Sequence, residues 1–270
     1  MAANPFSTLA QLSTPGKSGY RLHPNTTRRY LAKNEYYAFK LRRKLYLSKS
    51  YKQQRLRLCR IYRHLKPEDI AIICFTDEST FELGIDTTPP WIRRRYGEAY
   101  ESKNLKPTFK SGRSSIGVWG GISLNFKANL VVLPRGARMN SKTYTRLVLN
   151  EDGGDFYQRV MEHEGDAVWM EDNASYHASK MTTAHRQALG IITLEWPAQS
   201  PDLNPIENLW RIMKLRISKR RHRIHNIQEM EAVLREEWDK LTPGDWKKVV
   251  LSFAKRCAEC VKNKGGATHY

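Results

Sequence analysis

The segment IAIICFTDES, residues 70–79, constrains this chain more than any other stretch. Six apolar residues in a row, closed off by Pro67-Glu68-Asp69 before and by polar residues after, read as a central strand buried on both faces. Such a strand needs helices above and below it, and the following sequence alternates accordingly. SSIGVWGGIS (114–123) and ANLVVLP (128–134) predict two further strands, joined through LNFK as a hairpin. A helix over 141–163, a strand DAVWMEDN (166–173), a helix over 178–189 and a strand IITLEWP (191–197) come next. Three helices, at 205–221, 226–240 and 243–263, close the chain. Three strands followed by alternating helices and strands describe an α/β layer architecture with a mixed sheet.

Charge separates the region before this sheet from the rest. Residues 1–70 hold 16 Lys/Arg against 3 Asp/Glu, which is most of the net charge of +19. A basic region attached to a nearly balanced domain points to a polyanionic partner, with nucleic acid first and simple solubility as the alternative. From NTTRRYLAKNEYY to YKQQRLRLCRIYRHL the pattern is helical, with Asn25, Thr26 or Thr27 as the expected cap. The expected division is a basic helical region and linker over 1–66 and an α/β domain over 67–270. No apolar run reaches the roughly 18 residues of a membrane span, and the first residues have neither a secretory nor a transit pattern. Four cysteines fit a reducing compartment; Cys257 and Cys260, on one helix face, read as buried residues because no second pair completes a zinc site.

Three carboxylates stand at the ends of elements. Asp77 closes the central strand, where open α/β sheets place their ligands, and its neighbour Glu78 points to the opposite face. Asp172 ends a second apolar strand. Glu207 follows the stiff stretch WPAQSPDLNPIENLW, with prolines at 197, 201 and 205. There Asn204 is the expected N-cap and Pro205 the first helical residue, so Glu207 favours the helix dipole, while Ile206, Trp210, Met213 and Ile217 make a buried stripe. Each acid alone has an ordinary explanation as turn or cap. Together, at the mouths of one sheet, they form a set of hard oxygen ligands for Mg²⁺, and a pair of such ions activates a nucleophile and stabilises a leaving 3′-oxygen at a phosphodiester.

FTDEST, MEDNASYH and WPAQSPDLNPIENLW, in this order, resemble the three catalytic blocks of the Tc1/mariner superfamily of DDE transposases. The 34 residues between Asp172 and Glu207 match its Tc1-like branch. The resemblance implies an RNase H-like fold and Mg²⁺- or Mn²⁺-dependent cut-and-paste transposition, with two ions held by Asp77, Asp172 and Glu207 as the catalytic triad. It implies cleavage at terminal inverted repeats and attack of the freed 3′-OH on a TA target in double-stranded DNA, by a homodimer on DNA in the nucleus. Asn173 and His177 belong to the second block and are expected only to support it. PPWIRRRYGEAY (89–100) matches a basic loop of the family, so Arg93, Arg94 and Arg95 are expected on phosphates or in a solvated loop. KLRISKRRHRIH (214–225) carries Lys219, Arg220, Arg221 and Arg223, for DNA, for nuclear import or as a solvated helix end. Arg28 and Arg29 lie in a stretch resembling the recognition helix of the family's second helix-turn-helix unit. The first unit has no counterpart here, so the region reads as a partial helix-turn-helix, and a captured or truncated transposase that binds DNA without cutting it is the alternative.

Overall fold

The structure, a computed structural model, describes residues 12–13, 22–37, 46–83, 114–220 and 224–270. The chain forms two compact units, Met1–Lys44 and Leu45–Tyr270.

In the first unit, helix α1 spans Pro24–Lys33. Its cap is His23 rather than Asn25, Thr26 or Thr27: the His23 imidazole accepts from the Asn25 N–H at 3.2 Å, and Pro24 takes the first helical position, where no amide donor is needed. Thr27 is thereby carried into the helix, where it is buried and its hydroxyl lies 2.9 Å from that of Ser13.

The second unit begins with α2, Lys49–Tyr62, capped by Ser48, whose hydroxyl accepts from the Tyr51 N–H at 3.2 Å. Although basic in sequence, α2 buries Arg55, Leu58 and Cys59 and belongs to this unit. The apolar run at 70–75 is divided. Pro67 starts a short helix α3, Pro67–Ala71, whose first turn is closed by the Asp69 carboxylate accepting from the Lys66 N–H at 2.9 Å. Ile70 and Ala71 are buried in that helix, and strand β1 runs Ile73–Leu83. It pairs antiparallel with β2, Ser114–Ile122, which pairs antiparallel with the two-residue β3, Val131–Val132. After α4 (Ser141–Tyr144), which runs on as a π turn through Leu149, and α5 (Asp152–Glu164), β4 (Val168–Met170) joins β1 in parallel. The sheet order is β3-β2-β1-β4.

The segment expected as a strand at 191–197 makes one bridge, Trp169 to Thr193, supported by Trp169 N–H to Ile192 O at 2.7 Å and Leu194 N–H to Trp169 O at 2.8 Å. Its proline-rich end turns away before a longer ladder forms. Helix α6 spans Lys180–Ala188, α7 Ile206–Arg220 and α8 Ile227–Asp239. The helix expected over 243–263 is two, α9 (Pro243–Leu251) and α10 (Phe253–Lys262), which meet at Ser252: its N–H bonds back to Lys248 O and Val249 O, and its carbonyl accepts from the Arg256 N–H at 2.9 Å.

Alternate residues of β1 face two cores, as the period of a strand requires. Phe75 and Phe81 join Trp210, Met213, Trp238 and Phe253 on the face covered by α7 to α10. Cys74 joins Trp119, Tyr144, Phe156 and Trp169 on the other, where Trp119 and Trp169 stack at 5.8 Å. Gly120 permits the close seating of the first layer: a Cβ there would lie 2.7 Å from the Trp238 ring and 2.8 Å from that of Trp210. Gly120 is also the residue paired with Asp77 across the β1–β2 ladder. Cys257 and Cys260 are buried, as their helical spacing predicts.

Candidate active site

A cleft of about 370 Å³ opens at the end of the sheet, lined by Asp77, Asp172, Asn173, the Trp196–Pro201 approach, Asn204 and Glu207. Each carboxylate arrives on a different element, and each is held by a different device.

Asp77, expected to close the central strand, is instead half-buried near the middle of β1, because the ladder with β2 continues past it to Leu83. Its Oδ2 accepts from Trp210 Nε1 at 2.9 Å, so a core residue of α7 fixes the rotamer of a strand acid. Burial raises its pKa well above the usual carboxylate range, and the charges of Glu78 and Glu207 push the same way.

Asp172 lies two residues beyond β4, its side chain 58% exposed. Its Oδ1 accepts from the Ala174 N–H at 2.8 Å and from His177 Nδ1 at 3.0 Å. The His177 bond and the Ala174 N–H together lower its pKa against burial. The His177 side chain is 4% exposed, and Nε2 lies 3.3 Å from Glu78 Oε1. A carboxylate at each ring nitrogen favours the charged form of the ring. Burial alone would lower its pKa, but the bonds to Asp172 and Glu78 raise it to about 9. Glu78 does face away from the cleft, as strand alternation predicts, yet it reaches the site at one remove through His177.

Glu207 is the second residue of α7. Asn204 ties that helix start to the sheet, its amide donating to Thr76 O at 3.1 Å while its oxygen accepts from the Ile206 N–H at 3.2 Å. The expected stripe of Ile206, Trp210, Met213 and Ile217 is buried and anchors the helix in the core. Burial raises the Glu207 pKa, with Lys214 and Arg256 acting against it. Asn173 joins the second and third blocks, its amide donating to Trp196 O at 2.8 Å. Gln199, on the rim, has φ 51°, a left-handed conformation that a non-glycine residue adopts at a cost of about 1–2 kcal/mol.

The cleft therefore gathers the three acids singled out in sequence, and two residues outside its lining, whose part the sequence did not disclose, brace it: Trp210 through Asp77 and Glu78 through His177. The oxygen-only set of carboxylates and the Asn173 amide suits a hard divalent cation rather than a soft one. Among the described residues no three His, Cys, Asp or Glu side chains are grouped so as to hold one ion, although Asp77, Asp172 and Glu207 all line the cleft. Arg28 and Arg29 are exposed on α1, and Lys219 is exposed near the end of α7. Arg220 is engaged by Glu236 at 2.6 Å and Glu237 at 2.5 Å of α8. Arg93, Arg94, Arg95, Arg221 and Arg223 lie outside the described residues.

Residues 128–231, which include Asp172 and Glu207, match the DDE superfamily endonuclease family. The chain is 28% identical over 251 residues to the Tc1 transposase of Caenorhabditis elegans, spanning 91% of this chain and 87% of that protein. It is 27% identical over 234 residues to the Tcb2 transposase of Caenorhabditis briggsae, spanning 83% and 80%. Its fold is that of the Mos1 mariner transposase in a paired-end complex with Mg, with a TM-score of 0.77 at 17% identity over 97% of this chain and 76% of that one. It also matches the isolated Mos1 catalytic domain, with a TM-score of 0.64 at 16% identity over 84% of this chain and all of that domain. The mixed, helix-flanked sheet is thus RNase H-like, and the chain carries a DDE superfamily endonuclease domain homologous to those of the Tc1-like transposases.

Proposed function

We propose that this chain is a DNA transposase that cleaves transposon-end phosphodiesters and joins the freed 3′-OH to a TA target. The observation that carries this reading is the convergence of Asp77, Asp172 and Glu207, from three separate elements, on one cleft. Their carboxylate oxygens are hard donors of the kind Mg²⁺ and Mn²⁺ take, and in this reading Asp77, Asp172 and Glu207 would hold two such ions. Such ions, when bound, supply Lewis-acid activation of the attacking oxygen and charge neutralisation at the leaving one.

The chain's own groups prepare that chemistry. Trp210 holds Oδ2 of Asp77, whose residue lines the cleft. His177 holds Asp172 Oδ1 and keeps this acid ionised. Asn204 fixes the start of α7 against Thr76, so Glu207 is presented from a helix rather than a mobile loop. In this reading Arg28, Arg29, Arg93, Arg94, Arg95, Lys219, Arg221 and Arg223 contact DNA phosphates. The ion pairs of Arg220 with Glu236 and Glu237 leave that residue a structural part instead. The proposed working form is a homodimer on double-stranded DNA in the nucleus.

Nicking of supercoiled plasmid bearing inverted repeats, with Mg²⁺ or Mn²⁺, tests this beside Asp172→Asn. Metal-dependent nicking that the variant loses is the expected result. DNA binding by both proteins with nicking by neither overturns it in favour of a captured transposase that only binds.

A further inference from the structure

Five residues before Glu207, Asp202 sits on a 3₁₀ turn, Pro201–Leu203, and it is the anchor of a buried network that the cleft does not include. Arg55 of α2, whose side chain is 0% exposed, grips both Asp202 oxygens at 2.7 and 2.8 Å. The same guanidinium donates to Gly265 O at 3.0 Å and Gly266 O at 3.2 Å. A second buried arginine, Arg256 of α10, donates to Asp202 O at 3.0 Å and to Asn208 Oδ1 at 2.7 Å. These two contacts fall on either side of Glu207 in sequence.

The last residues of the chain close the network. The Thr268 N–H donates to Asp202 Oδ2 at 2.8 Å, and the Tyr270 ring lies 4.2 Å from the Arg256 guanidinium. The segment is seated tightly: Gly265 has φ 80°, and a Cβ there would stand 2.2 Å from Lys52 O, so only glycine fits. Two buried charges on a structural helix pair would by themselves be weak evidence for anything but packing. Here their hydrogen bonds are spent on the backbone and side chains that bracket one carboxylate, from elements that otherwise do not touch the cleft.

We infer that Arg55 and Arg256, locked by Asp202 and by the 265–270 segment, are positioning residues that set the place of Glu207 in the cleft. This inference rests on the reading of Glu207 as a metal ligand. It makes the C-terminal segment part of the catalytic apparatus, although none of its residues faces the cleft.

Arg55→Ala would leave Asp202 unpaired in the interior and risks misfolding, so the informative variants are Asn208→Ala, Tyr270→Ala and the conservative Tyr270→Phe. Three readouts are needed: Mn²⁺ binding by electron paramagnetic resonance without DNA, hydrogen exchange of the 203–209 amides, and nicking rate against Mn²⁺ concentration. The expected result is about tenfold weaker Mn²⁺ binding in Asn208→Ala and a few-fold loss in Tyr270→Ala, with faster exchange at 203–209. Plasmid affinity in chelator stays at the wild-type value, and Tyr270→Phe behaves as wild type. Wild-type Mn²⁺ binding and wild-type exchange at 203–209 in both alanine variants, even with a lowered Tm, would reduce the network to a stability element and overturn the inference. Wild-type protein that neither binds Mn²⁺ nor nicks would instead remove the functional reading, and this inference with it.

Discussion

Trp210 Nε1 and Asp77 Oδ2 are joined by a 2.9 Å hydrogen bond that crosses from α7 to the central strand. Trp210 lies three positions after Glu207, so one turn of helix carries both a candidate ligand and the donor that orients another. The helix is thus coupled to β1 at two points, through this indole and through Asn204. Trp210→Phe keeps the ring in the core and removes only the donor. The expected outcome is a nicking rate reduced about tenfold, with stability lowered by roughly 1–2 kcal/mol, since the carboxylate loses a partner in a half-buried place. Single-turnover nicking and a denaturant titration check the two parts separately.

Gly120 faces the same indole from β2. With its Cβ position 2.8 Å from Trp210 and 2.7 Å from Trp238, Gly120→Ala must push both rings outward. Overpacking of this kind costs about 1–3 kcal/mol. Because Gly120 pairs with Asp77, the displacement also stretches the indole bond. Gly120→Ala therefore lowers both Tm and nicking rate, whereas Gly136→Ala, at a surface turn, lowers Tm alone through its φ of 73°. A Gly120→Ala protein with wild-type nicking would show that Asp77 does not depend on Trp210.

His177 makes the corresponding bridge on the other side of the cleft, between Asp172 and Glu78, with its ring edge-on to Tyr144 at 4.5 Å and Tyr176 at 4.4 Å. His177→Phe preserves the aromatic packing and removes both bonds. Asp172 then loses its orienting donor and Glu78 its partner, and nicking is expected to fall at least tenfold. Glu78→Gln, which keeps a hydrogen-bond acceptor at the far nitrogen, is expected to fall less. Comparing the two in the plasmid assay separates the Asp172 bond from the Glu78 bond.

Most of the order of strands and helices, and the three acids that line the cleft, were legible because both are local properties. An apolar run followed by an acid marks Asp77, and a proline-stiffened cap marks Glu207. What escaped is non-local. Nothing in FTDEST says that Trp210, 133 positions later, will hold Asp77. Strand alternation sent Glu78 to the far face correctly, but only the fold brings His177 there to link it to Asp172. Arg55 is the sharpest case. In RLRLCR it looks like one more charge on a basic face, yet its side chain is fully buried because its partner, Asp202, comes from the loop before Glu207. Boundaries moved at single residues: His23 displaced the cap of α1, and the final helix divides at Ser252.

The Arg55–Asp202 pair also gives the protein an acid limit. Burial would raise the Asp202 pKa, but the bonds and charge of Arg55 and the Thr268 N–H outweigh it and hold the folded value below 3.8. A depressed folded pKa contributes stability that is fully present above the unfolded value and is lost as pH falls through the folded one. The loss thus belongs below about pH 4, and none is expected from this pair between pH 5 and 8. Asp202→Asn is less stable than wild type at pH 7, because breaking a buried pair from one side costs about 3–5 kcal/mol. Its stability must then change less than that of wild type between pH 5 and pH 3, since the variant has no proton to take up there. Tm measured for both proteins across that range decides it: curves that stay parallel down to pH 3 would mean that Asp202 is not held ionised by Arg55.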